Sequence, residues 1–288
     1  MSSVKLLSPA KVNLFLRVLG KRPDGYHELQ SIAQPVSLFD EISLSVEPGE
    51  GSSLSCSGRE MPSGNDNLAV AACHLYLGEA GVRKKVSIGI KKNIPIGAGL
   101  GGGSSNAAAV LVGLNRVLGK FTDRDLLRMA ASLGADVPFF VRSTSSFIEG
   151  VGERVEMLSD FPLFHYVILF PGKSLSTREV YENWERPEPP PEKVDPVSLA
   201  ERFLGVDFPL ENGLEAAVFA VFPEILSLKE IFRSLGARFV LVSGSGSSVF
   251  SVFPRRQEAE EIHEYLGTSS EFDVFLASGI SGWHFLAD

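Results

Sequence analysis

The sequence predicts an α+β protein of two domains, and three observations lead there. Residues 4–46 are a succession of β-forming runs separated by turn signals. A glycine-rich stretch in the first half feeds an alanine-rich helix, and the second half alternates helices with a small antiparallel or mixed sheet. At 288 residues the chain has the length of about two domains. The boundary is expected shortly before the apolar run at 166–170, giving an N-terminal domain of residues 1–160 and a C-terminal domain of residues 161–288.

Strands are expected over 4–7 and 11–19. In the second, Val12, Leu14, Leu16 and Val18 share one face by the period of two, and Lys11, Asn13, Phe15 and Arg17 share the other. Lys11 and Asn13 would then point the same way about 7 Å apart, either into one pocket or simply into solvent. Pro23-Asp24-Gly25 is a turn with a mechanism: Pro presets φ, Asp bonds the local backbone and Gly takes positive φ. It delivers Tyr26 and His27, which by pattern alone read as a half-buried aromatic and a surface histidine. Runs 30–38 and 41–46 extend the sheet, and the polar stretch 49–66 reads as a loop. A helix opens at an Asp66/Asn67 cap and runs through Leu77, with Cys73 and His74 as packing residues.

After a strand at 86–90 comes Pro95-Ile96-Gly97-Ala98-Gly99-Leu100-Gly101-Gly102-Gly103-Ser104-Ser105, in which five of eleven residues lack a Cβ. Such a segment exposes backbone N–H groups that converge on an anion, and it runs into the apolar helix 106–118 with its positive dipole end. A Walker loop is excluded, because no lysine precedes Ser104. Gly97, Gly99 and Gly102 fit a dinucleotide fingerprint formally, but the strand ends several residues too early and no acidic strand end follows at the required distance.

Thr122-Asp123-Arg124-Asp125 opens a further helix as a capping-box variant, stopped by Gly134. Asp136 follows, flanked by Val137, Pro138, Phe139 and Phe140, where a carboxylate is costly to bury without a partner. It either meets a cation or caps a turn. Short strands at 146–148 and 155–158 flank a glycine turn, and 166–170 is a buried strand. A helix at 177–184 stops before the proline-rich surface loop 187–192. Helices at 197–203, 213–219 and 224–235, a hairpin of 239–242 and 249–253 with the tip Ser243-Gly244-Ser245-Gly246-Ser247, a helix at 256–266 and a strand at 273–276 complete the chain.

Composition narrows the function classes. A net charge of −8 argues against a nucleic-acid surface, so an anionic ligand must find local positive charge. No apolar run approaches the roughly 20 residues of a membrane span, and the N-terminal residues lack the apolar core of a signal peptide, so a cytoplasmic protein without a membrane partner is expected. Two cysteines and five scattered histidines form neither a disulfide framework nor metal-ligand spacing. Monomer and homodimer both stay open.

Four segments occur in an order that resembles the GHMP kinases, named for galactokinase, homoserine kinase, mevalonate kinase and phosphomevalonate kinase. They are Ser8-Pro9-Ala10-Lys11-Val12-Asn13-Leu14-Phe15-Leu16, Pro23-Asp24-Gly25-Tyr26-His27-Glu28-Leu29, the glycine stretch with Asn106, and Gly134-Ala135-Asp136-Val137-Pro138-Phe139-Phe140. The first two narrow the resemblance to the branch that phosphorylates a cytidine diphosphate-linked methylerythritol in non-mevalonate isoprenoid biosynthesis. The tip at 243–247 resembles the family's third glycine motif.

The resemblance implies a two-domain fold, a mixed sheet with helices followed by a ferredoxin-like α/β sandwich. It also implies ATP-dependent phosphorylation of the substrate's 2-hydroxyl. Lys11 and Asp136 fall on the family's catalytic pair, with Asp136 taking the hydroxyl proton and Lys11 keeping it ionised. The stretch from Pro95 to Ser105 would hold the triphosphate, with Ser104 or Ser105 near Mg²⁺, whose ligands stay unassigned. Asn67 and Leu68 lie beside the adenosine, Tyr26, His27 and Tyr181 at the cytidine, and Asn13 and Thr177 at the methylerythritol diphosphate. One departure stands out: the chain has Asn212-Gly213-Leu214-Glu215 where the family often has Asn-Asp-Leu-Glu. The rival readings are another GHMP kinase, such as homoserine or mevalonate kinase, and a non-catalytic ligand sensor, which would be expected to lack Lys11 and Asp136.

Overall fold

The protein's structure is a computed structural model that describes residues 2–62, 66–205, 208–267 and 271–287. Two long strands, β1 (Ser2–Lys21) and β2 (His27–Pro48), form an antiparallel pair that is the spine of the larger sheet. The first half adds β3 (Gly51–Gly58), β4 (Lys84–Lys92), β5 (Ser146–Gly150) and β6 (Arg154–Met157); β4 and β5 pair with β2, β3 with β4, and β6 with β5. The helices α1 (Leu68–Ala80), α2 (Gly102–Leu118), α3 (Asp123–Leu133) and α4 (Val137–Arg142) cover one face. The second half contains β7 (His165–Phe170), α5 (Thr177–Glu182), α6 (Pro196–Arg202), β8 (Glu211–Asn212), α7 (Glu215–Val221), α8 (Ile225–Ser234), β9 (Val240–Val242), β10 (Val249–Phe253), α9 (Arg256–Leu266), β11 (Asp273–Ser278) and β12 (His284–Leu286). Its own sheet, β11-β7-β10-β9, is antiparallel throughout and carries helices as an α/β sandwich.

The halves share structure. β8 pairs parallel with β1, and β12 pairs antiparallel with it, so two strands of the second half complete the first sheet, whose main path is β12-β1-β2-β4-β3. One buried cluster runs from Val12 and Leu14 of β1 through Ala98 and Leu100 to Ile168 and Phe250 of the smaller sheet.

Two expectations are corrected, and one segment that carried no assignment gains one. The segments 4–7 and 11–19 form one strand, and its alternation breaks at Leu14, which is an extra residue between the pairs Asn13–Ala33 and Phe15–Ile32. This bulge reverses the faces, so Phe15 packs with Val12 and Leu14 while Leu16 and Val18 enter another cluster on the side of Lys11 and Asn13. The expected loop 49–66 contains β3, a serine-rich edge strand paired in parallel with β4; it is mostly exposed and so leaves no hydrophobic period to read. Residues 63–65 of that loop lie outside the described residues. The apolar segment after Asp136 is a helix, α4, with a proline in its first turn.

The helix signals hold. The Asn67 side chain accepts from the Ala69 N–H, Thr122 and Asp125 form the reciprocal capping box, and Gly119 ends α2 in the left-handed region. In α2 the run Ala107-Ala108-Ala109-Val110-Leu111 is buried, and a Cβ on Gly113 would lie 2.6 Å from Leu44 Cδ1, so small residues let the helix press on β2.

Where β4 hands over to the glycine stretch, the ammonium of Lys92 pairs with Asp40 at 2% and 0% side-chain exposure. Asp40 Oδ1 also accepts from the N–H groups of Asn93 and Ile94, at 2.7 and 2.9 Å. Burial pushes the Lys92 ammonium below its ordinary pKa, and Asp40 opposes that shift. Removing one partner leaves a charge stranded in the interior. We expect Asp40→Ala to lose about 3–5 kcal/mol in urea unfolding, and the apolar pair Asp40→Leu with Lys92→Met to recover only part of it, because the N–H groups of Asn93 and Ile94 stay without their acceptor.

Candidate active site

The glycine stretch is held by its carbonyls. Ser174 Oγ donates to Ile96 O (2.5 Å), Leu175 N to Gly97 O (3.0 Å), Ser248 N to Ala98 O (3.1 Å), Ser243 Oγ to Gly99 O (3.0 Å) and Lys11 N to Leu100 O (3.0 Å). Five consecutive carbonyls are thus turned away into the protein. Gly99 has φ +75°, and a Cβ there would lie 1.9 Å from Ser243 O; at Gly101, φ +70°, it would meet the Phe140 ring at 2.8 Å. No side chain caps α2 at Gly101, so the first-turn N–H groups of Gly102, Gly103 and Ser104 form an open anion site at the positive end of the helix.

Lys11 and Asp136, far apart in the chain, come together here. The bond from Lys11 N to Leu100 O fixes β1 against the loop, and Lys11 Nζ lies 3.9 Å from Asp136 Oδ2. Asp136 stands at the start of α4 but makes no capping bond, and its side chain is 45% exposed toward the cleft. Of the two readings open from sequence, the geometry therefore favours the cation partner over the turn cap. Lys11 Nζ also donates to Asn13 Oδ1, Asn13 Nδ2 to Ser31 Oγ at 2.8 Å, and Ser31 Oγ to Phe15 O at 2.6 Å. A Cβ on Gly244 would lie 3.3 Å from Lys11 Nζ and 3.2 Å from Asn13 Oδ1, so the hairpin tip of the second half walls in the same group. A carboxylate beside a held ammonium is placed to accept a proton from a hydroxyl.

At the other end, Asp24 Oδ1 accepts from the Tyr26 N–H and the turn presents Tyr26 with 64% exposure. The His27 ring lies 4.8 Å from the Tyr181 ring and meets Trp184 edge-on at 5.3 Å. Burial, with Lys21 adding to it, holds His27 below its usual pKa, so the ring is neutral near pH 7. The Tyr181 hydroxyl is pushed up, by burial first and by the Asp136 carboxylate second. Thr177 Oγ1 is 3.0 Å from Ser245 Oγ of the hairpin tip.

A single cleft of about 1040 Å³ is lined by every residue singled out above for a site except Ser105. The Ser105 hydroxyl accepts from Ser8 Oγ at 2.7 Å and its N–H is spent on Gly101 O, both in the interior, so of the two serines Ser104 is the one that faces the cleft. Asn67 lines the cleft with both ends of its amide already bonded, to Ala69 N and Pro62 O, so it shapes the rim. Lys91 pairs with Glu41 at the surface and Lys92 with Asp40, and neither is free for a ligand. Sequence reasoning passed over Ser31, Trp184, Lys21 and Arg178; Trp184, three residues beyond Tyr181 and two past the end of α5, was the one with a readable signal, since it falls within the helix expected at 177–184. Among the described residues no group of three or more His, Cys, Asp or Glu side chains could hold a metal.

A family model described as GHMP kinases N terminal domain matches residues 67–144, and one described as GHMP kinases C terminal matches residues 199–270. The chain is 42% identical over 232 residues to the 4-diphosphocytidyl-2-C-methyl-D-erythritol kinase of Citrifermentans bemidjiense, covering 80% of this chain and 82% of that one. It is 41% identical over 237 residues to the enzyme of the same name from Desulfotalea psychrophila, 79% of this chain and 78% of that one. Among solved structures, a 4-(cytidine 5'-diphospho)-2C-methyl-D-erythritol kinase superposes with a TM-score of 0.80 at 40% identity, covering 96% of this chain and all of that one (100%). A homoserine kinase from Cytophaga hutchinsonii superposes at 0.71 with 19% identity, over 99% and 98% of the two chains, a likeness of fold.

Gly99→Ala tests the clamp. A Cβ in the path of Ser243 O forces the two loops apart, and strain of about 1–3 kcal/mol should weaken ADP binding roughly 5- to 150-fold by calorimetry. Gly78→Ala, where a Cβ meets nothing within 4 Å, should leave it unchanged.

Proposed function

The chain belongs to the GHMP kinases and groups with their 4-diphosphocytidyl-2-C-methyl-D-erythritol kinases, and from that membership we propose that it transfers the γ-phosphoryl of ATP to the 2-hydroxyl of 4-diphosphocytidyl-2-C-methyl-D-erythritol, a step of non-mevalonate isoprenoid biosynthesis. One observation carries the reading. Lys11 and Asp136 lie 3.9 Å apart beside the uncapped start of α2, in the same cleft whose far end holds Tyr26, His27 and Tyr181.

Phosphoryl transfer needs little covalent help, so position and charge decide the rate. The N–H groups of Gly102, Gly103 and Ser104 bind the triphosphate, with Asn67 and Leu68 shaping the adenosine rim. Asp136 accepts the proton of the 2-hydroxyl as its oxygen attacks. Lys11, 3.9 Å from that carboxylate, stabilises the charge growing on the alkoxide. Mg²⁺ would be held by phosphate oxygens, with the Ser104 hydroxyl, which faces the cleft, as a protein group that could reach it; when bound, the ion would neutralise phosphate charge.

The cytosine stacks against Tyr26 and Tyr181, and neutral His27 reads its edge, held by Trp184. Asn13 and Thr177 meet the methylerythritol diphosphate, with Lys21 and Arg178 at the rim as its cationic neighbours. Residues 1–160 supply the ATP site and the catalytic pair, and residues 161–288 close the substrate side. No helix among the described residues is long and apolar enough to cross a membrane.

In a coupled ADP-release assay on the cytidylated substrate, Lys11→Ala and Asp136→Asn should each lose on the order of 10²–10⁴-fold in kcat with nucleotide binding retained. Undiminished turnover by Asp136→Asn removes it as the base. Tyr181→Ala removes one stacking face, worth about 1–3 kcal/mol, so KM for the cytidylated substrate should rise roughly 5- to 150-fold while KM for ATP holds.

A further inference from the structure

The Lys11 ammonium is held by an amide that has two nearly identical ends. Asn13 can turn its oxygen toward Lys11 Nζ, as it does here, or its NH₂ group, which would set donor against donor beside a cation. Shape does not choose between these, because the two orientations fill the same space. The ammonium favours the oxygen from one side, and the group bonded to the other end of the amide, Ser31, can enforce the same polarity from the other.

Ser31 settles it through a one-way chain. Its hydroxyl has a single proton, and that proton goes to Phe15 O at 2.6 Å, a backbone carbonyl that can only accept. Toward Asn13, at 2.8 Å, the Ser31 oxygen is therefore left to accept, and the Asn13 group facing it must be the NH₂. Asn13 Oδ1 is then turned to Lys11, and Lys11 to Asp136. The chain begins beside the bulge at Leu14, where the β1–β2 ladder is locally interrupted. Lys11, Asn13 and Ser31 are all buried, and the approach of Gly244 leaves the ammonium little room to find another acceptor.

We propose that Ser31 is a positioning residue for phosphoryl transfer, which acts by fixing the Asn13 amide so that its oxygen holds Lys11 Nζ next to Asp136. The role rests on the reading of Lys11 and Asp136 as the catalytic pair. The Ser31 hydroxyl is buried and spent on Phe15 O and Asn13 Nδ2, so it acts on the reaction through Asn13 and its loss should appear chiefly in kcat.

Ser31→Thr and Ser31→Val differ only in the hydroxyl and nearly match in shape, which separates the hydrogen bond from packing. Ser31→Thr should stay within about threefold of the parent, and Ser31→Val should lose about 10- to 100-fold in kcat with both KM values within about threefold, the usual range for a residue that orients another. Thermal melting of both variants confirms that folded protein is compared. In an Asn13→Ala background no amide remains to be oriented, so Ser31→Thr and Ser31→Val should there differ in kcat by less than about twofold. Equal activity of the two single variants overturns the proposal, as does an undiminished difference between them in the Asn13→Ala background, or a loss confined to KM. If Lys11→Ala retains turnover, the catalytic reading itself falls; if Lys11→Ala is inactive while Ser31→Val matches Ser31→Thr, only the role of Ser31 falls.

Discussion

The structure depends on a constraint of the main chain: the carbonyls of Ile96 to Leu100 are each bonded to a group from elsewhere, so the opposite, N–H side of the segment is what faces the cleft. A glycine-rich run free in solution would sample many conformations and pay heavily to bind. Here that ordering is done during folding, by donors from β1, from the turn after β7 and from the β9–β10 hairpin. Three of those donors are backbone N–H groups and two are serine hydroxyls, and glycine is required where the partner's own backbone presses on the loop, since backbone meets backbone only where no Cβ intervenes. The 1.9 Å that would separate a Gly99 Cβ from Ser243 O is a measure of how close the approach is.

That clamp also explains how a chain of net charge −8 can hold a polyanion. The two lysines nearest in sequence to the loop are committed to Glu41 and Asp40. What remains positive beside the loop is the set of N–H dipoles at the start of α2 and the ammonium of Lys11, with Lys21 and Arg178 lining the same cleft. Fixed dipoles cost no reorganisation when charge develops on the transferring group, and one well-placed cation serves where a cluster would bind the ground state as tightly as the transition state.

How much of this could be read from the chain depended on the range of the interaction. Caps at Asn67 and at Thr122 with Asp125, the stop at Gly119 and the loop feeding α2 are settled within a few residues, so their residue types announce them. The bulge at Leu14 is set by pairing with β2, and nothing in an alternating run of Val and Leu marks the position where the alternation fails. β3 is an exposed edge held by its backbone, without the burial that writes a pattern into side chains. Ser105 carried the same hydroxyl as Ser104, and only the helical turn, which sends one outward and the other onto Ser8, separates them. The pairing of Lys11 with Asp136 became legible only by resemblance, since no local rule joins residues so far apart.

The segment at 212–215, which departs from the family pattern, has a place in the same scheme. Asn212 Nδ2 donates to both Val242 O and Gly244 O at 2.8 Å, its Oδ1 accepts from Leu214 N, and Gly213 N donates to Leu16 O at 2.7 Å. Asn212 thus props the hairpin tip whose Gly244 closes on Lys11 and Asn13, while Gly213 ties that prop to β1. A side chain at Gly213 would have its Cβ 3.3 Å from Val18 N, a close but tolerable fit, so an acidic residue there elsewhere in the family is compatible with the same prop. Glu215 continues it, accepting from Val242 N and from Lys229. The second half therefore does more than cover the substrate. Through β8, Asn212 and the hairpin it sets one wall of the pocket around the catalytic ammonium, and because those contacts are made with β1 itself, the wall and the residue it encloses are positioned by the same strand.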